Sequence, residues 1–139
     1  MELSLAVLAD AANVSLEGKL NILGEFSVIW GPTLPLVWPA MQLVLRLEAT
    51  AGEGPRHTLG IRVLTEDGQL VVPPVDVPAD FGAPFRAGLP HRGNFIMGIA
   101  GAAFPRFGAY SFEILVDGHN VGSVPLYVLP IQERPPTRP

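Results

Sequence analysis

The sequence contains no cysteine, and Lys19 is the only lysine among its nine basic residues. The first absence excludes disulfide staples, thiolate zinc sites and a cysteine nucleophile, so the fold must rest on its core. The second, with a net charge of -4, leaves no concentrated basic stripe of the kind a phosphate backbone requires, and nucleic acid is not expected as a partner. Long apolar runs are missing too. Pro, Gly or a charge interrupts every stretch before the ~18 to 20 residues a membrane helix needs, so no membrane partner is expected. Met1, Glu2, Leu3 and Ser4 give an acidic start where a secretory signal would carry Lys or Arg, and the apolar run from Leu5 to Ala9 is short for one, which predicts a cytoplasmic protein. Charge itself is scarce, at 16% of residues against roughly 25% in an ordinary soluble domain. Some of the surface must therefore be apolar or small.

What is present is punctuation and alternation. Fifteen glycines and fifteen prolines divide 139 residues too often for long helices. Leu43, Leu45 and Leu47 recur at every second position, as do Leu59, Ile61 and Val63, and then Tyr110, Phe112, Ile114 and Val116, each set alternating with mostly polar or small residues, Val44 and Leu115 excepted. These are half-buried antiparallel strands. Strands are predicted near residues 3–9, 20–30, 41–50, 56–65, 69–72, 95–104, 109–116 and 121–129. Asp67-Gly68 and Asp117-Gly118 mark two tight hairpins. The Pro-rich stretches 31–40 and 73–90 are expected as loops, the second with room for a short edge strand. Residues 1–130 form one domain, and the Pro-rich tail 131–139, which from Glu133 onward has no apolar content to anchor it, is expected to be disordered. The fold class expected is all-β, a two-sheet antiparallel β-sandwich of immunoglobulin-like or similar Greek-key topology. Phe107-Gly108-Ala109-Tyr110-Ser111-Phe112 supports this choice, because a Tyr at a strand start, hydrogen-bonding back across the corner, is a mark of immunoglobulin-like sandwiches.

Several landmarks also carry a family resemblance: Ala9-Asp10-Ala11-Ala12, Gly18-Lys19-Leu20-Asn21-Ile22-Leu23-Gly24, Phe107 to Phe112, Asp117-Gly118 and Val124-Pro125-Leu126. From Leu3 to Leu129 the chain resembles a family of short uncharacterised bacterial β-sandwich proteins, a domain of unknown function. The resemblance implies the fold and supplies no catalytic residue, ligand or cofactor.

Motifs of known chemistry are few. Gly18-Lys19 lacks the flanking residues of a phosphate loop and reads as a turn. The triplet Asn13-Val14-Ser15 has the form of a glycosylation sequon but stands in a chain with no secretion signal. No serine stands in a nucleophile elbow. His57, His91 and His119 are too far apart in sequence to share a metal and are expected as solvated loop residues. Asp76 and Asp80 are weak candidates for a cation and read as loop solvation. No metal and no cofactor are expected. The candidate binding residues lie in the Pro-rich stretches: Trp38 as a stacking platform for a sugar or peptide, and Phe85, Arg86, His91 and Arg92 around the 73–90 loop.

The function expected is that of a non-enzymatic interaction or structural module that self-associates or binds a protein partner. The alternative is a small-ligand or carbohydrate-binding sandwich using loops 31–40 and 73–90. The segment 95–104 points to a homo-oligomer: Phe95, Met97 and Ile99 serve one face, while Ile96, Gly98, Ala100 and Ala102 leave the other without a charge. Leu23, Ile29 and Leu115 are expected to add outward apolar side chains, and the 73–90 loop is the competing cover for this face.

Overall fold

The computed structural model describes residues 1–137. Nine strands form two packed sheets: β1 (Glu2–Val14), β2 (Leu20–Phe26), β3 (Val28–Gly31), β4 (Leu36–Ala49), β5 (Arg56–Thr65), β6 (Val75–Asp80), β7 (His91–Phe104), β8 (Gly108–Val116) and β9 (His119–Pro130). One sheet has the order β2-β1-β4-β7 and the other β3-β9-β8-β5-β6. The protein is an all-β sandwich. Its only helical element among the described residues is a 3-10 turn, Ile131–Glu133, within the tail expected to be disordered; the last two residues of that tail lie outside the described residues.

The alternating residues meet between the sheets. Leu43, Leu45 and Leu47 of β4 face Ile61 and Val63 of β5 and Phe112, Ile114 and Val116 of β8, and all eight are buried. Tyr110 opens β8 as the sequence suggests. Its hydroxyl donates to the Arg106 carbonyl at 2.7 Å and accepts from the Arg106 amide at 3.1 Å, which fixes the chain's turn into the strand. Asp117 and Gly118 both take positive φ, 52° and 82°, as a two-residue hairpin of matching twist requires, and they join β8 to β9.

The structure departs from the expected strands at four places. Residues 20–30 are two strands: the chain breaks at Ser27 and crosses to the second sheet, where β3 runs parallel to β9, the one parallel pair among the described residues. Ile29 accordingly faces the core at 2% exposure instead of standing outward. The stretch 69–72 makes only a bridge between Leu64 and Leu70, because Pro73 and Pro74 stop it, and the edge strand lies beyond them as β6. Half of the 31–40 stretch is the start of β4, with Pro39 tolerated where the β4–β7 ladder skips a pair opposite Gly101. Gly101 has a φ of +66°, and past it the alternation of β7 inverts, so Ala102 is buried rather than outward.

Candidate interaction surface

β7 is the terminal strand of its sheet, so one side of its backbone pairs with β4 and the other has no backbone partner among the described residues. Its outward side chains are Arg92, Asn94, Ile96, Gly98 and Ala100. They lie beside Glu48, Arg46, Val44, Gln42 and Ala40 of β4. Polar pairing is confined to one end, where Arg92 Nη2 is 2.5 Å from Glu48 Oε1 and Arg46 Nε donates to Asn94 Oδ1 at 3.0 Å. Beyond Asn94 the strand carries no charge as far as Phe104. Gly98 and Ala100 are exposed, and a Cβ placed on Gly98 would touch nothing. Val7 lies beside Val44, which is itself fully buried, so the apolar row continues across the sheet without adding exposed surface at Val44.

The 73–90 loop does not cover this strip. Phe81 enters between the sheets, with its ring centroid 5.3 Å from that of Phe95 and 5.1 Å from the His57 ring, so it closes the gap below β7 on the core side. Phe85 is left 84% exposed, and Arg86 is exposed beside it. His91 Nδ1 lies 2.8 Å from the Gly82 carbonyl and Arg92 is held by Glu48, so both have local partners. Trp38 stands at the far end of β4, ten positions from Glu48, a separation of about 33 Å at ~3.3 Å per residue. The two Pro-rich stretches therefore build separate surfaces, and Trp38 is not brought together with Phe85, Arg86, His91 and Arg92.

His57 was not legible as anything more than a loop histidine, and the structure corrects that reading. Its side chain is 6% exposed; Nδ1 lies 2.6 Å from Asp117 Oδ2 and Nε2 lies 2.7 Å from the Gly54 carbonyl. Both ring nitrogens face acceptors, an arrangement that only the doubly protonated ring satisfies fully. Burial pushes its pKa down, but the hydrogen bonds to Asp117 and Gly54 and the charges of Asp117 and Glu53 outweigh it, and the net direction is upward. Asp117 is pulled down by the His57 hydrogen bond and by the amide of Thr58, which donates to Oδ1 at 2.8 Å. The arrangement fastens the Asp117-Gly118 hairpin to the start of β5. The described residues hold no cluster of His, Asp and Glu that could bind a metal, and no helix long and apolar enough to cross a membrane.

The model of a family of unknown function (DUF6941) matches residues 4–129, nearly the span over which the landmark residues carry the resemblance. No curated protein matches the chain. A solved structure that does is a Pseudomonas fluorescens alkylpurine DNA glycosylase bound to DNA containing an abasic site analog, with 17% identity and a TM-score of 0.46. The match covers 73% of this chain and 27% of that one, so the chain spans about a quarter of that protein's length. The expectation that nucleic acid is not a partner does not stand beside this match and is withdrawn, since net charge is an average over the chain and the matched protein is a DNA-bound one. The likeness says nothing further about this chain.

Proposed function

The chain belongs to DUF6941, the family of unknown function, and we propose that it is a non-enzymatic module that self-associates, β7 pairing edge to edge with β7 of a second copy. One observation carries this reading: of the four sheet edges, β7 alone is left without protection among the described residues. Exposed edges invite pairing with another chain, and proteins blunt them with short strands, charges, prolines or bends. β3 is four residues long. β6 carries Asp76, Pro78 and Asp80. β2 carries Glu25 and bends at Gly24, whose φ is +69°. β7 is 14 residues long, and from Phe95 to Phe104 it holds neither charge nor proline, its one irregularity being Gly101.

Two-fold pairing is the commonest way a chain covers its own surface, and antiparallel pairing of a strand with its own copy satisfies that symmetry. The product is a continuous sheet of both copies, with the outer strip of Ile96, Gly98 and Ala100 spanning the join. The sandwich itself reads as immunoglobulin-like, on three features: β1 pairs within one sheet, β3 crosses to lie parallel to the last strand, and Tyr110 ties back to Arg106. That likeness is an analogy of architecture and assigns no activity.

The variant Gly98→Glu/Ala100→Glu tests the reading. Both sites are exposed and open, so the monomer should fold unchanged, while like charges facing each other across the two-fold should abolish pairing. Sedimentation showing a dimer for the parent and a monomer for the variant is the expected result; a variant as dimeric as its parent contradicts it. A second reading has its own observation. The tip of the β1–β2 hairpin reaches past its pairing with β4 and exposes Val14, Leu16, Ile22 and Leu23, the last at 71%, an apolar arm suited to a protein partner.

A further inference from the structure

Both tryptophans of the chain line one cleft. It opens where β2 leaves the first sheet and becomes β3 on the second, has a volume of about 290 Å³, and is walled by Trp30, Trp38, Asp10, Glu25 and Arg134. Neither indole is fully buried. Glu25 and Asp10 are exposed, and their carboxylates have no ion pair within the described residues. Gly24 makes room for one of them: a Cβ there would collide with the Asp10 carboxylate. A cleft with two aromatic walls and two unneutralised carboxylates has the chemistry that holds an organic cation, with the π-faces attracting the charge and the carboxylates accepting its N–H groups.

We propose that this cleft binds a guanidinium group, stacked on Trp30 or Trp38 and paired with Asp10 and Glu25. A planar guanidinium suits the site better than an ammonium, because it stacks on a ring face while its edge forks to a carboxylate. The chain supplies a competitor of the same kind. Arg134 follows the 3-10 turn, reaches the wall of the cleft and makes no ion pair among the described residues, so it is placed to occupy the site when no other cation does. The cleft is lined by residues of β1, β2, β3, β4 and the tail and by none of β7, although Trp38 lies opposite Ala102 of that strand, so the site stands whether or not the chain dimerises.

Tryptophan fluorescence of the full chain, titrated with N-acetyl-arginine amide and in parallel with N-acetyl-citrulline amide, tests it. The two probes share a shape and differ in charge. The arginine probe should give a saturable change that weakens with added salt, and the citrulline probe should bind at least about tenfold more weakly. Asp10→Asn/Glu25→Gln, at exposed positions, should keep the β-sheet circular dichroism and lose the arginine response. Arg134→Ala should strengthen it. An Arg-Pro-Pro peptide binding more tightly than the single residue places the natural cation on a partner chain, and equal binding places it on a free small molecule. No saturable response to the arginine probe, or equal responses to both probes, overturns the proposal.

Discussion

His57 and Asp117, sixty residues apart in sequence, meet at 2.6 Å and tie the β8–β9 hairpin to β5, the strand beside β8 in the same sheet. The His57 pKa is raised above its ordinary 6.5, so its contribution to stability is complete below that pH and is lost as the pH climbs through the folded value. The Asp117 pKa is lowered below 3.8, so its contribution is complete above that pH and is lost as the pH falls through the folded value. Both hold between about pH 3.8 and 6.5. Urea midpoints measured across pH should fall on the alkaline side of this window in the parent, and His57→Gln should remove that fall. A midpoint that declines equally in both proteins contradicts the ion pair as its source; Glu53 and His119 are the other titrating groups that bear on the pair.

Tyr110→Phe removes a hydroxyl that satisfies both the carbonyl and the amide of Arg106 while leaving the ring against Phe104 at 5.0 Å. Loss of such a buried pair of bonds should cost about 1 to 3 kcal/mol in chemical denaturation, with little change in spectrum. A cost near zero would mean that water replaces the hydroxyl freely and that the corner is held by packing.

Phe112 is fully buried at the centre of β8. Phe112→Ala should cost about 3 to 5 kcal/mol, the usual range for an emptied aromatic site. A loss below about 1 kcal/mol would show that the site collapses onto the gap.

The sandwich and its core were legible because period-two alternation is written residue by residue, as at Leu43, Leu45 and Leu47. The break at Ser27 was not: residues 20–30 are apolar on both sides of it, and only tertiary pairing decides that Val28 joins Tyr127 while Phe26 joins Leu8. The reversal at Gly101 was hidden for a related reason, since a glycine among alanines gives no sign that it takes positive φ. His57 looked solvated because its partners, Gly54 and Asp117, lie in two turns whose approach to each other depends on the sheet being formed. The uncharged character of residues 95–104 was visible in the sequence, but that β7 is an edge follows from strand order alone. The two tryptophans, eight positions apart, gave no sign of sharing a cleft until β3 and β4 were placed in different sheets.

The molar mass in solution tests the central claim most directly. Light scattering across micromolar concentrations should give a mass near twice 14.8 kDa, falling toward 14.8 kDa on dilution or in the Gly98→Glu/Ala100→Glu variant. A parent that stays at 14.8 kDa at every concentration would contradict the pairing of β7 with itself.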